Sequence, residues 1–181
     1  INKRLFNFNP VTMQNNQIIL NIVRFVVLML LQVIVLNHIN FLGYVNPYAY
    51  LIFILLFPFD ASKTLLIFLS FLLGLSIDLF SDSGGVHAAA CVLVGFLRPG
   101  ILKFSFGVSY EYNAVKLNKV TFKERVFYIT LMVFIHHFVL FGLEIFSLSH
   151  IVLILKSTLF SGIFSVLLIL CILLLFNTKE N

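Results

Sequence analysis

Long, uninterrupted apolar runs separated by short polar stretches dominate this sequence. The apolar positions do not alternate with polar ones, as they would in the strands of a transmembrane barrel. A helix needs about 20 apolar residues, at about 1.5 Å per residue, to cross the hydrocarbon layer of a membrane. We therefore predict an all-α protein with six membrane segments, at residues 18–36, 47–59, 64–80, 86–104, 126–146 and 150–176.

Two of these segments contain proline. The second starts at Pro47, meets Pro58 near its end and is short for a full span, so we expect it to be tilted, kinked or partly re-entrant. The fourth segment crosses only if it continues through Pro99. We expect Pro99 to kink this helix, since proline removes a backbone donor and clashes with the preceding turn.

Composition places the chain among integral membrane proteins. Of its 181 residues 61% are hydrophobic and 10% are charged, whereas about 25% of the residues of a soluble domain are charged. We expect an N-terminal tail at residues 1–16, one membrane domain at residues 17–176 and a C-terminal tail at residues 177–181. The net charge of +5 does not indicate nucleic-acid binding, because the basic residues gather where a membrane protein faces the cytoplasm.

The distribution of basic residues predicts the orientation. With six segments, one side holds both termini and every Lys and Arg outside the segments, while the loops at residues 37–46 and 81–85 hold none. The positive-inside rule then places both termini in the cytoplasm, which indicates a multi-pass inner-membrane protein. A five-segment alternative would divide the basic residues between the two sides. The basic connection at residues 105–125 is expected to lie as an amphipathic segment on the anionic leaflet.

A hairpin between the third and fourth segments holds most of the polar residues that could be functional. Ser70, Gly74 and Asp78 recur every fourth residue and form one helical stripe. A carboxylate inside a membrane is costly, so Asp78 should face protein or water. We expect Gly84 and Gly85 to form the turn. Our hypothesis is that Asp78 accepts hydrogen bonds from the start of the fourth helix, with the stripe packed against the small residues at 88–90 and at 157–165.

Other polar residues inside the segments have more than one interpretation. For Arg98 we favour a side chain that extends to the lipid phosphates, and the alternative is an inward ion pair. His87 is expected to be an interfacial histidine, and Arg24 to extend to the phosphates. Asn21 and Gln32 share a helix face that should pack against other helices. Cys91 and Cys171 are expected to be buried apolar residues.

No arrangement of residues predicts catalysis or metal binding. His136, His137 and Glu144 lie on one segment, and His137 and Glu144, seven residues apart, share a face. Two ligands on one helix do not make a metal site, and we expect none. The sequence contains no nucleophile–base motif, phosphate-binding loop or zinc motif. We therefore expect a protein that is not an enzyme and that binds no cofactor.

The hairpin nevertheless resembles a known family. The run GLSIDLFSDSGGVHAAACVLVGFLRP at residues 74–99, with LFPFDASKTLLIFLSFLLG before it and KFSFGVSYE after it, resembles the rod shape-determining protein MreD, most closely in its Bacteroidota form. The shared features are a G-x-x-x-D helix end, a G-x-H-A turn and a [YF]-x-R-P close. The resemblance continues through VFIHHFVLFGLEIFS and TLFSGIF and covers about residues 17–176.

The resemblance implies a non-enzymatic component of the complex that directs lateral peptidoglycan synthesis and maintains rod shape. It implies MreC as the direct partner, with MreB, RodA and a class B penicillin-binding protein in a larger complex, and it implies contact with membrane lipids. Asp78, His87, Arg98 and Pro99 match motif positions of the family, which supplies no established catalytic residue. The implied fold is similar to the substrate-binding subunits of energy-coupling-factor transporters.

A vitamin-binding transporter subunit is therefore the alternative function. Such subunits dock through small residues spaced by four on their first helix, and residues 20–36 contain no Gly, Ala or Ser, which counts against this alternative. A structural protein in a lipid-modifying complex is a third possibility that no motif favours.

Overall fold

The computed structural model describes residues 10–39, 41, 43, 45–59, 61–107 and 120–177, with only the backbone described at residues 10–16, 148, 176 and 177. Apart from short turns, the described elements are helices: α1 (Pro10–Ile34), α2 (Leu51–Leu56), α3 (Lys63–Ser81), α4 (Val86–Phe106), α5 (Phe122–Ile145) and α6 (Ile151–Asn177). Five of the described helices, all except α2, are long and apolar enough to cross a membrane. The all-α fold class predicted from the apolar runs is confirmed.

Local sequence signals fix the ends of these helices. Ser62 caps α3 by accepting a hydrogen bond from the backbone N–H of Leu65 at 3.2 Å. Thr121 and Glu124 form a reciprocal capping box at the start of α5, which satisfies two backbone donors that a helix start otherwise leaves unpaired. Because of this cap, α5 begins at Phe122, before the predicted residue 126. Helix α1 begins at Pro10, inside the predicted tail.

Consecutive long helices pack side by side as antiparallel neighbours from α3 to α6, and α1 packs beside α3. The carboxamide of Asn37, just after α1, donates to the hydroxyl of Ser81 at the end of α3 at 2.8 Å. Helices α1 and α3 therefore end at the same level and run in the same direction.

The chain between α1 and α3 returns through the interior of the bundle. We call residues 45–59 the inner segment. Only Leu51–Leu56 is helical, about 9 Å long at 1.5 Å per residue, and Tyr48 to Leu55 are all buried. Residues 46–48 and 57–59 are not helical. Irregular backbone at membrane depth is tolerated only where protein surrounds it, which is the environment of this segment.

Helix α4 continues through Pro99 to Phe106, as we predicted from the length that a membrane-spanning helix requires. Residues 108–119, which hold most of the predicted amphipathic connection, lie outside the described residues, as do residues 1–9 and 178–181 of the predicted tails.

Candidate functional site

The carboxylate of Asp78 joins the end of α3 to the start of α4. Its Oδ1 accepts from the backbone N–H of His87 at 3.0 Å, and its Oδ2 accepts from the backbone N–H of Ala88 at 2.8 Å. The hydroxyl of Ser83 donates to Oδ1 at 2.6 Å. These donors belong to a helix start, where N–H groups lack partners inside the helix and the helix dipole favours an anion. The hydrogen bonds predicted for Asp78 are therefore present.

The turn between the two helices requires glycine. Gly84 and Gly85 have φ angles of +67° and +96°, in the left-handed region where a side chain is strained. Asp82 also adopts this region, at φ +51°, and aspartate is among the residues that tolerate it. The turn brings the first N–H groups of α4 back toward Asp78.

Gly74 allows α3 and α4 to approach closely. A Cβ atom at Gly74 would lie 2.5 Å from the Cα of Ala88 and 2.5 Å from the carbonyl oxygen of His87, both backbone atoms. Ser70 fits against Gly95 of α4, where a Cβ would lie 2.8 Å from the Ser70 hydroxyl oxygen. The stripe thus packs against α4, as predicted for the small residues at 88–90.

The small residues at 157–165 of α6, which we expected to pack on α3, instead include two serines that bind the inner segment. The hydroxyl of Ser161 accepts from the backbone N–H of Asn46 at 3.2 Å, and that of Ser165 accepts from the N–H of Tyr48 at 2.9 Å. These N–H groups belong to the non-helical start of the inner segment. The two serines therefore replace partners that a regular helix would have provided.

The prediction that His87 is an interfacial histidine is wrong. His87 is buried, and its Nδ1 lies 2.9 Å from the hydroxyl of Tyr50, which also lies 2.9 Å from Nε2 of His136. Since α4 folds back onto α3 and α5, the ring faces the interior rather than the surface. Tyr50, His87 and His136 form a buried hydrogen-bonded cluster at the centre of the bundle.

The hydrogen-bond partners in this cluster indicate which ring nitrogen of each histidine carries the proton. A tyrosine hydroxyl donates one hydrogen bond, so one histidine accepts from Tyr50 and the other donates to it. Nδ1 of His136 is buried with no partner among the described atoms, and a buried lone pair is tolerated better than a buried N–H. We therefore place the His136 proton on Nε2, which donates to Tyr50, and Tyr50 donates to Nδ1 of His87.

His137 forms a second buried pair. Its Nδ1 lies 2.8 Å from the carbonyl oxygen of Val133, and its Nε2 lies 3.0 Å from the hydroxyl of Ser165. A carbonyl only accepts, so Nδ1 carries the proton and Ser165 donates to Nε2. This serine–histidine geometry would suit a nucleophile, but both side chains are fully buried, and the Ser165 hydroxyl is also bonded to the backbone N–H of Tyr48. Glu144, on the same predicted face, is exposed.

Gln32 of α1 holds the start of the inner segment. Its Nε2 donates to the carbonyl of Pro47 at 3.0 Å, and its Oε1 accepts from the N–H of Ala49 at 3.0 Å. Nε2 also lies 2.9 Å from Oδ1 of Asn37. Gln32 is fully buried, which confirms that its face of α1 packs inside the protein. Gln32 could be singled out from the sequence because it is an amide inside an apolar run. No sequence pattern marked the backbone groups of Pro47 and Ala49 as its partners.

Arg98 of α4 holds the other end of the inner segment. Its Nη2 donates to the carbonyl of Leu55 at 3.3 Å and to that of Phe57, and its Nε donates to the hydroxyl of Tyr128 at 3.1 Å. The ring of Phe59 lies 4.9 Å from the guanidinium carbon. Arg98 is 3% exposed, so the expected extension to lipid phosphates is wrong. The side chain points inward, and its partners among the described residues are carbonyls and a hydroxyl rather than a carboxylate.

The remaining predicted residues lie outside this arrangement or contribute little to it. Pro99 follows Arg98 within α4 and cannot donate to the carbonyl of Gly95. Cys91 is buried as expected, but Cys171 is exposed, because it lies on the outer surface of α6. Among the described residues, no three His, Cys, Asp or Glu side chains lie together as a metal site would require.

An apolar groove of about 370 Å³ lies beside the adjoining ends of α5 and α6. Its lining residues are Phe138, Gly142, Phe146, Ser147, Ile151 and Ile154. Ser147 alone among them has a polar side chain, so this groove does not provide the polar groups that a vitamin-like molecule would need.

The fold and the site together define an all-helical protein with several helices able to cross a membrane. Its polar interior is organised around a non-helical segment and a capped α3–α4 hairpin. Comparison with models of protein families, with curated proteins and with solved structures found no match for this chain.

Proposed function

We propose that this chain is a non-enzymatic, multi-pass membrane subunit of the complex that directs lateral peptidoglycan synthesis in rod-shaped bacteria, with the role of MreD. The basis is the resemblance of residues 74–99 to that family. The observation that supports it most directly is that the motif residues build one structural unit. Gly74 and Asp78 contact the start of α4 that Gly85 and His87 form.

The polar interior supports a structural role. Tyr50 and His137 bind other groups of this chain, and Arg98 binds carbonyls of the inner segment. A buried polar group that is already paired gains little from binding a ligand, since the exchange replaces one hydrogen bond with another. A subunit that presents a fixed surface to partners needs such an interior.

We further propose six membrane crossings with both termini in the cytoplasm of the bacterial cell. Helices α1 and α3 run in the same direction, so the connection between them has to return across the bundle. The inner segment reaches from Gln32, near the end of α1, to Arg98, which lies well inside α4. This return is the second crossing, and it restores the one-sided distribution of Lys and Arg.

MreC is the direct partner in this proposal, and MreB, RodA and a class B penicillin-binding protein belong to the larger assembly. The surface that we assign to the partner is the turn at residues 81–85 with the outer ends of α3 and α4. The hydrogen bonds of Asp78 fix the shape of this turn. The partner would therefore bind a preformed surface, and binding would cost little conformational entropy.

Co-purification from native membranes tests the proposal. A tagged parent chain should retain MreC, and an Asp78→Leu variant that still inserts should lose it, while Asp78→Asn should retain part of it. Recovery of an ATPase module in place of MreC would support the transporter subunit instead. A cell that lacks this chain should lose rod shape, and unchanged shape would contradict the proposal.

A further inference from the structure

Arg24 is the second arginine that reaches the end of α2. Its Nη1 donates to the carbonyl of Leu56 at 3.4 Å and to Oδ1 of Asn21 at 3.3 Å. Both distances are longer than those of typical hydrogen bonds, and both acceptors are neutral. A guanidinium has five N–H donors, so these two long bonds leave most of its hydrogen-bonding capacity open within the described residues.

The two arginines bring two positive charges to consecutive carbonyls. Arg98 binds those of Leu55 and Phe57 from α4, and Arg24 binds that of Leu56 from α1. Among the described residues, no carboxylate lies within ion-pair distance of either guanidinium. Like charges repel strongly where water is scarce, so a negative group beside Arg24 would stabilise the arrangement.

An anion can reach Arg24 along the lipid-facing surface of α1. Arg24 is half-buried, whereas Arg98 is enclosed. Neighbouring residues Leu20, Val23 and Val27 of α1 are each more than half exposed, so this side of Arg24 faces lipid. Arg24 lies about 10 Å along the Gln17–His38 span at 1.5 Å per residue, and its long side chain can extend toward the nearer headgroups.

We propose that Arg24, beside the carbonyl end of α2, binds the phosphate of an anionic phospholipid. The guanidinium fork matches two phosphate oxygens, which makes arginine a strong phosphate ligand. Basic sites between membrane helices are known to select anionic headgroups. The apolar residues beside Arg24 favour a lipid over a free anion, because an acyl chain can lie along them. This inference does not depend on the proposed function.

Thermal unfolding of the purified protein in neutral detergent tests the site. Phosphatidylglycerol should raise the unfolding midpoint more than phosphatidylcholine does, because only the first carries a net negative charge. Arg24→Gln should lose at least half of that difference, while Arg24→Lys should keep part of it. The matched control is Lys156→Gln, which removes one exposed cation of α6, far along the chain, and should keep the full difference.

Three results would overturn the proposal. Arg24→Gln could keep the full lipid effect, or Lys156→Gln could lose as much, which would indicate a general charge effect. Inorganic phosphate without lipid could reproduce the stabilisation, which would indicate a site for a soluble anion.

If Arg24→Gln does not fold, the parent protein still decides the question. Phosphatidylglycerol with a photoreactive headgroup should label α1 near Arg24 or residues 55–59. Labelling confined to other parts of the chain would contradict the proposal.

Discussion

The Oδ2 atom of Asp78, near the end of α3, accepts a hydrogen bond from the backbone N–H of Ala88 at 2.8 Å, in the first turn of α4. Together with the bond from the N–H of His87, it satisfies two donors of a helix start with one side chain. The hairpin is therefore closed by a charge-assisted contact between one side chain and the backbone, and its effect on stability can be measured.

Replacing Asp78 should destabilise the hairpin, and the loss should be larger when the new side chain accepts fewer hydrogen bonds. Asp78→Asn keeps one acceptor oxygen but loses the charge, so we expect a loss of about 1–2 kcal/mol. Asp78→Leu leaves the N–H groups of His87 and Ala88 without an acceptor, at a cost of about 1–3 kcal/mol each. Unfolding in detergent measures both. Equal stability of Asp78→Leu and the parent would contradict a structural role for the carboxylate.

Gly74→Ala should push α3 and α4 apart, because the added Cβ would lie 2.5 Å from backbone atoms of α4. Overpacking of this kind costs about 1–3 kcal/mol. Gly100→Ala is the matched control, since it adds the same methyl group at a helical position where, apart from the adjacent residues and the nearby backbone of its own helix, no atom lies within 4 Å. That control should be neutral or slightly stabilising, because alanine favours helix more than glycine does. A similar loss for both variants would show that the close contact is unimportant.

Gln32→Leu should loosen the start of the inner segment. The substitution leaves the carbonyl of Pro47 and the N–H of Ala49 without the partners that Gln32 provides, and we expect a loss of about 2–6 kcal/mol from these two unpaired groups. Amide hydrogen exchange by mass spectrometry should rise in peptides that cover residues 45–50. Gln17→Leu makes the same change at an exposed position of the same helix and should leave exchange there unchanged.

Arg98→Lys should fail to replace the parent residue. Lysine lacks the planar fork with which Arg98 reaches two carbonyls and the hydroxyl of Tyr128 together. We expect a thermal midpoint several degrees lower and weaker partner assembly. Arg125→Lys, at a half-buried position of α5, is the control and should match the parent. If Arg98→Lys matched the parent as well, a simple positive charge would be sufficient at this position.

Labelling of single cysteines tests the orientation. In a background without Cys91 and Cys171, a reagent that cannot cross the membrane should reach a cysteine at position 83 from outside the cell. It should not reach one at position 119, which lies in the basic connection outside the described residues. The reverse pattern would contradict the six-crossing topology.

Two residues show why part of the site could be predicted from the sequence. Asp78 and Ala88 are ten positions apart and are joined by a glycine turn, so the chain has few ways to arrange them. Helix periodicity places Gly74 and Asp78 on one face, and a carboxylate inside an apolar helix needs a donor close by. These arguments need only local geometry, and they lead to the hydrogen bonds that the structure contains.

Arg98 and His87 show where such reasoning fails. The partners of Arg98 at Leu55 and Phe57 are backbone carbonyls more than forty positions away, and every residue type has such a carbonyl, so no sequence pattern marks them. Tyr50 and His136 are 86 positions apart, and they meet only because the inner segment passes between the helices.

The sequence by itself determined the helical class, the membrane character and the closed hairpin, because apolar run length and local hydrogen bonding decide these properties. Only the tertiary structure decided that residues 45–59 run through the interior with six helical residues. The physical reason is that irregular backbone is stable at membrane depth only when distant side chains supply its missing hydrogen bonds. Gln32, Ser165 and Arg98 supply them here, each from a different helix.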